Sequence, residues 1–178
     1  YRLYTADADG TGRIIVEEGL IGEYCWTNDS RSLVYTLFDF REKNFDLWEK
    51  GQDGSHSRRI SKTPTDEESP GLSPDGKTIA FITGQDLYLT PPDSFRPTRI
   101  FSGVRTVEWI PGRDLLLILH EAKQGESAWS EPWIINLDGK LVKKVVEKEF
   151  SRAWFAPNGD DYVYSRRENL YLDPLDAR

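Results

Sequence analysis

The chain has no methionine and a single cysteine, Cys25, among its 178 residues. One cysteine excludes an intrachain disulfide. Its place in an apolar strand pattern reads as a small buried hydrophobe rather than a reactive thiol. Nothing in the composition explains the missing methionine. Histidine is also scarce, with only His56 and His120 present. His56 lies in a polar turn between Ser55 and Ser57. His120 ends an apolar run, and no cysteine or second histidine stands near it to complete a metal site. No apolar run approaches the ~20 residues that span a bilayer, which argues against membrane insertion. Positive charge is in deficit, with 23 Lys and Arg against 30 Asp and Glu, a net charge of −7 and a pI near 5.0. That balance argues against duplex nucleic acid as a partner, since a phosphate backbone calls for a basic face. The adjacent arginine pairs, Arg58-Arg59 and Arg166-Arg167, fall inside strand patterns and read as solvated edge charges. There is no Gly-x-Ser-x-Gly elbow and no Gly-Lys-Ser/Thr phosphate loop, so neither a hydrolase nucleophile nor a nucleotide cradle is indicated, and no cofactor is implied.

What the chain does have is repetition. Four copies of one turn read Thr27-Asn28-Asp29-Ser30, Ser73-Pro74-Asp75-Gly76, Ile110-Pro111-Gly112-Arg113 and Ala156-Pro157-Asn158-Gly159. Their spacings are 46, 37 and 46 residues. A period of roughly 40–50 residues built from short strands signals β-propeller blades. Each turn follows a short run ending in a large apolar residue, Trp26, Leu72, Trp109 or Phe155, which reads as the innermost strand of a blade. After the turn come runs that are apolar on both faces: Leu33 to Leu37, Thr78 to Ile82, Leu115 to Leu119 and Tyr162 to Tyr164. Such runs suit strands sandwiched between neighbouring blades. A third strand recurs five times: Arg2-Leu3-Tyr4, Asp46-Leu47-Trp48, Asp86-Leu87-Tyr88, Pro132-Trp133-Ile134 and Asn169-Leu170-Tyr171. An outer strand rich in Arg or Lys follows, as in Arg58-Arg59-Ile60 and Lys143-Lys144-Val145, where charge discourages edge-to-edge aggregation.

These patterns predict an all-β propeller of four-stranded antiparallel blades occupying residues 1–178 as one domain or segment. About four and a half blades are present. An incomplete blade covers 1–19, and further blades lie near 20–62, 63–103, 104–147 and 148–178. The innermost strands should end near Trp26, Leu72, Trp109 and Phe155, and no helix should exceed about two turns. Lys62 to Ser69 and Lys123 to Glu131 break the repeat with polar residues and are expected to be irregular. The incomplete count points to a larger ring or to a second copy that completes one.

The run Leu72-Ser73-Pro74-Asp75-Gly76-Lys77-Thr78-Ile79-Ala80-Phe81, followed by Asp86-Leu87-Tyr88, resembles the TolB-like propeller repeat. Related repeats occur in the propeller domains of dipeptidyl and prolyl peptidases. The resemblance extends over nearly the whole chain as four repeats and is strongest in the second. It implies a non-catalytic, WD40-like repeat module that binds a protein or peptide, in the periplasm or at a cell surface. The alternative it implies is the gating domain of a serine peptidase whose catalytic domain lies outside this segment.

Two sets of residues invite a chemical reading. Asp7-Ala8-Asp9-Gly10-Thr11-Gly12-Arg13-Ile14-Ile15-Val16-Glu17-Glu18 places acids at positions 1, 3 and 12, glycine at 6 and isoleucine at 8, as a calcium loop does. A calcium loop needs flanking helices, and here strand repeats flank it. Asp7, Asp9 and Glu18 therefore read as parts of a hairpin. The second set starts the innermost strands: Glu23, Glu68, Ser69, Arg105, Thr106 and Arg152. Counted back from the strand ends, these polar residues are expected to ring one mouth of a central channel, where they would dock a partner's loop or simply wet the channel. The acidic run Asp66-Glu67-Glu68 lies between blades and reads as a solvated loop.

Overall fold

In the computed structural model, residues 1–124, 127–145, 150–166 and 169–175 are described, and all regular structure among them is β. None of the described residues forms a helix able to cross a membrane. A two-stranded sheet joins β1 (Arg2–Thr5) to β2 (Ile14–Glu18). Three four-stranded sheets follow: β3 (Ile21–Trp26), β4 (Ser32–Asp39), β5 (Asn44–Gly51) and β6 (Arg58–Arg59); β7 (Glu68–Leu72), β8 (Ile79–Thr83), β9 (Asp86–Thr90) and β10 (Thr98–Ser102); β11 (Val104–Trp109), β12 (Leu115–Gln124), β13 (Ser127–Asn136) and β14 (Leu141–Lys144). The last sheet holds β15 (Phe150–Phe155), β16 (Asp161–Arg166) and β17 (Asn169–Pro174). All pairings are antiparallel between consecutive strands. This is the up-and-down meander of propeller blades, and the innermost strands end at Trp26, Leu72, Trp109 and Phe155.

The core is distributed between blades rather than gathered at one centre. Leu3 and Val16 pack with Leu33 and Tyr35. Val34, Leu47 and Ile60 meet Ile79 and Phe81. Ala80, Ile82 and Leu87 meet Val104, Val107, Leu116 and Ile118. Ile110, Leu117 and Ile134 meet Tyr162 and Tyr164. Successive residues of a strand point to opposite faces. Leu33 and Tyr35 thus face one neighbour while Val34 faces the other, and Ile79 and Phe81 divide from Ala80 and Ile82 in the same way. Burial on both faces is what makes these strands read as continuous apolar runs.

The repeated turns knit the blades at one end. The Gly76 amide donates to Ser73 O at 2.8 Å, and the Thr78 amide donates to Ser73 Oγ at 2.9 Å. Thr27 serves the first turn in the same way, its Oγ1 accepting from the Ser32 amide at 2.9 Å. Turns of adjacent blades also touch. Asn28 Nδ2 donates to Ser73 O at 2.9 Å and to Pro74 O at 2.6 Å. Arg113 pairs with Asp160 at 2.6 Å. Gly159 has φ +71°, and a Cβ there would overlap the carbonyl oxygen of Pro111.

Outer strands are tied inward by an ion pair repeated at a separation of 13 residues: Asp46–Arg59, Asp86–Arg99 at 3.1 Å and Glu131–Lys144 at 3.3 Å. Arg59 and Lys144 also lie over Trp48 and Trp133, at 5.9 and 4.9 Å from the ring centroids. Three expectations are corrected here. Arg58 and Arg59 are not solvated edge charges. Arg58 binds Glu49 and Pro92 O, and Arg59 binds Asp39, Glu42 and Asp46. Glu67 is not a solvated loop acid. It is buried, accepting from Ser61 Oγ at 2.6 Å and Thr63 Oγ1 at 2.5 Å. Lys123 to Glu131 is not irregular where described, because β12 and β13 stay paired from Leu115↔Asn136 to Gln124↔Ser127. The flanking hydrogen bonds propagate the ladder through polar residues whose composition alone suggests a loop. Lys62 to Glu67 does lie outside strands. Asp7 and Asp9 cap the β1–β2 hairpin turn, the Asp9 carboxylate accepting from the Thr11 amide at 2.9 Å, while Glu18 pairs with Arg2 on the facing strand at 2.5 Å.

The Asp46 side chain is 0% exposed and that of Arg59 20%, whereas the Arg99 side chain is 59% exposed. Removing one partner of a buried pair strands the other charge. Arg59→Ala should therefore destabilise by about 3 kcal/mol or more, and Arg99→Ala by under about 1 kcal/mol, read from urea unfolding. Gly159→Ala combines backbone strain with a collision against the neighbouring turn, so a loss of about 2 kcal/mol or more is expected. Gly10, at φ +82° with open space around it, isolates the strain. Gly10→Ala should cost about 1 kcal/mol.

Candidate functional site

Strands β3, β7 and β11 run inside three consecutive blades and enclose a cleft of about 810 Å³. Each begins with a β-bulge, between Ile21 and Tyr24, between Glu68 and Gly71, and between Val104 and Thr106. The fourth inner strand repeats the device between Phe150 and Arg152. A bulge inserts one unpaired residue and re-aims its neighbours, so the polar starts of these strands are set apart from the regular ladders that follow. Ser69 sits in such a bulge at φ +51°. Its amide donates to the Glu23 carboxylate and so joins β7 to β3. The Glu23 amide in turn donates to Thr36 Oγ1 at 3.1 Å.

Glu23, Ser69 and Thr106 line the cleft on three adjacent strands. Glu68 and Arg105 are exposed beside them and do not line it. Arg152 is placed by its backbone in β15, opposite Ser165, and its side chain lies outside the described residues. The geometry therefore groups the two acids at the junction of β3 and β7, where among the described residues neither forms an ion pair. Partial desolvation by the strands around it holds the exposed Glu68 carboxyl above its usual range, and the charges of Asp66 and Glu23 push it the same way.

Below these polar starts the wall turns aromatic. Tyr24, Trp26 and Trp109 line it together with Leu72, Leu117 and Leu119, and Glu108 is the second charged residue on it. Trp109 Nε1 donates to Gly71 O at 2.9 Å. A Cβ at Gly71 would lie 3.1 Å from Trp109 Cδ1, so glycine is what lets the indole reach the next blade's backbone. Tyr24 is 58% and Trp26 45% exposed. Sequence reasoning used Trp26 and Trp109 only as strand-end markers and passed over Tyr24 and Glu108. The signal was available in the alternation of acid and aromatic along Glu23-Tyr24-Cys25-Trp26 and Glu108-Trp109. Cys25 also borders the cleft, and burial pushes its thiol up to about 11, well away from reactivity at neutral pH.

Two further clusters have defined partners. Carboxylate oxygens of Asp39, Glu42 and Asp46 converge within 4.8 Å, a spacing a divalent cation can use. The Arg59 guanidinium already binds all three, so the protein's own cation holds the place. His120 directs Nδ1 to Gly103 O at 3.1 Å, and its ring centroid lies 4.1 Å from that of Trp133. That is the environment of a structural histidine at a strand end. His56 occupies an exposed turn at φ +52°.

Comparison with known proteins supports the fold. No family model and no curated protein sequence matches the chain. Among solved structures, TolB from Acinetobacter baumannii superposes with a TM-score of 0.77 at 19% identity, over 99% of this chain and 47% of that one. A protein described as a putative TolB from Agrobacterium tumefaciens gives 0.70 at 18% identity, over 98% and 70%. Tricorn protease gives 0.69 at 12% identity, over 92% and 17%. The fold is thus a TolB-like β-propeller, present as an open arc of blades. The chain spans about half the length of the Acinetobacter TolB it matches.

Burial holds the Glu67 carboxyl above its ordinary value of 4.5, against the pull of the Ser61 and Thr63 hydroxyls. An acid raised in the folded state is protonated in both states at low pH, and ionising it costs more when folded. Glu67's own contribution to native stability should therefore fall as pH climbs through the raised value. Glu67→Gln removes that loss. In urea unfolding, the stability of the variant relative to the native chain should rise as pH climbs from about 4.5 through the raised value and then level off, and a gap that shrinks with rising pH would contradict the assignment.

Proposed function

We propose that this propeller is a non-catalytic module that docks a protein or peptide segment in the channel cleft between β3, β7 and β11. The observation that carries the reading is the cleft's wall. It presents large exposed aromatics, Tyr24 and Trp26, beside hydrogen-bonding groups of Glu23, Ser69 and Thr106. Exposed aromatics flanked by polar groups are the composition of binding hot spots. TolB-like structures supply the fold analogy, and on that analogy alone the proposal sets the module outside the cytoplasm, in the periplasm or at a cell surface. The proposal extends to the arc's two open faces. Tyr4 and Ile15 on one, and Trp154, Leu170 and Leu172 on the other, are exposed apolar residues. Further blades, from another segment or a second copy, would cover them and complete a ring.

A second reading, the access-gating propeller of a serine peptidase, draws support from the superposition on tricorn protease. Both readings place the incoming chain in the channel. They differ in whether it stays bound or passes through.

Selection of displayed random peptides on the protein tests docking. Thr106→Trp fills the cleft, while Lys77→Ala alters an exposed turn in another place. Selected binders should lose at least ~10-fold in affinity on Thr106→Trp, with folding verified by circular dichroism, and be unaffected by Lys77→Ala. Binders indifferent to Thr106→Trp would place recognition on another surface.

A further inference from the structure

Two outer sites show how this chain handles a cation. At each, a carboxylate stands two residues before a tryptophan, and a basic side chain lies against both. Asp46 and Trp48 hold Arg59, and Glu131 and Trp133 hold Lys144. At the second, both Trp129 and Trp133 also donate their indole N–H to Glu131 at 3.0 Å. The chemistry is general. A carboxylate supplies a charged acceptor, and an aromatic face supplies a quadrupole that attracts positive charge.

The cleft repeats the acidic and aromatic halves of this arrangement without the basic one. Its charged residues are Glu23 and Glu108, and its aromatics are Tyr24, Trp26 and Trp109. Among the described lining residues there is no lysine, arginine or histidine. Among the described residues, no ion pair involves Glu23 or Glu108. Outside the lining, Glu68 is close enough for Asp66 and Glu23 to act on it, while Arg105 stands exposed beside Thr106. We infer that the occupant of the cleft is a basic segment of a partner protein, an extended peptide whose arginine or lysine side chains lie against Tyr24 and Trp26 and pair with Glu23 and Glu108. The inference rests on the docking reading of the same cleft and adds the charge of what docks. Of the mixed acids and bases expected on one rim, Arg105 lies outside the cleft wall.

Fluorescence anisotropy with short labelled peptides tests it. The probes alternate leucine with arginine, with glutamine or with glutamate, and are titrated against the full chain. The arginine peptide should bind at least ~10-fold more tightly than the glutamine peptide, and the glutamate peptide should bind least. The advantage should shrink with added salt and collapse in Glu23→Gln/Glu108→Gln, whose glutamines keep an acceptor for the Ser69 amide. A general attraction to this acidic chain would survive that double substitution, and would overturn the inference. So would equal binding of the arginine and glutamine peptides, although if Thr106→Trp then weakened both, the docking reading itself would stand. Binding of every peptide unaffected by Thr106→Trp, or no binding at all, would overturn both.

Discussion

The structure depends on burying each blade's second strand between two neighbours. Val34, Phe81, Ile118 and Tyr162 have no common centre to pack around; each is covered by the next or the previous sheet. Stability in such an array is carried by interfaces between repeats. The turn contacts then act as register pins. Asn28 reaches the Ser73–Pro74 backbone, and Gly159 lies against Pro111, so adjacent sheets are fixed at their inner ends as well as through their faces. The cleft follows from this geometry. Interface packing sets the position of the innermost strands, and bulges at their starts turn polar groups out of the ladder.

The acid–base pair repeated at 13 residues plays different roles at different depths. Asp46–Arg59 is enclosed, and Arg59 satisfies three carboxylates at once. Glu67 shares the Ser61 hydroxyl with Asp46, while Asn44 holds the same loop through Thr63 O and Thr65 O. The polar network orders Lys62 to Glu67 where no ladder does. Burial pushes both Asp46 and Glu67 up, so the network resists ionisation while depending on it for the Arg59 pair. Such a site contributes more to fixing one loop conformation than to net stability. At Asp86–Arg99 the same spacing lies in water, where an ion pair is worth little.

Much of the fold was legible because its signals are local. The turn Ser73-Pro74-Asp75-Gly76 carries its own hydrogen-bonding groups, and the apolar run after it records burial on both faces. The departures share another origin. Glu67, Arg59 and the Lys123–Glu131 stretch are polar by composition and structured by partners distant in sequence. Composition describes what a residue prefers in isolation and is silent on whether Ser61, Asp46 or a facing strand will be there to meet it. The site was legible only in part for the same reason. Counting back from the turns found Glu23, Ser69 and Thr106, but a count cannot tell that the bulge leaves Arg105 outside the cleft wall while Glu108 lines it.

That distinction bears on recognition. A rim of alternating acids and bases has little net field, and exposed pairs gain little from a charged visitor. A cleft whose charged residues are carboxylates set among indole and phenol rings selects by sign, and the low-dielectric wall strengthens the selection. The chain satisfies Arg59 and Lys144 elsewhere with the same acid and aromatic pairing. At Trp48 and Trp133 the complement is internal and the site is closed. At Trp26 the aromatic and the acid line an open cleft, and the complement inferred for it is a basic segment of a partner.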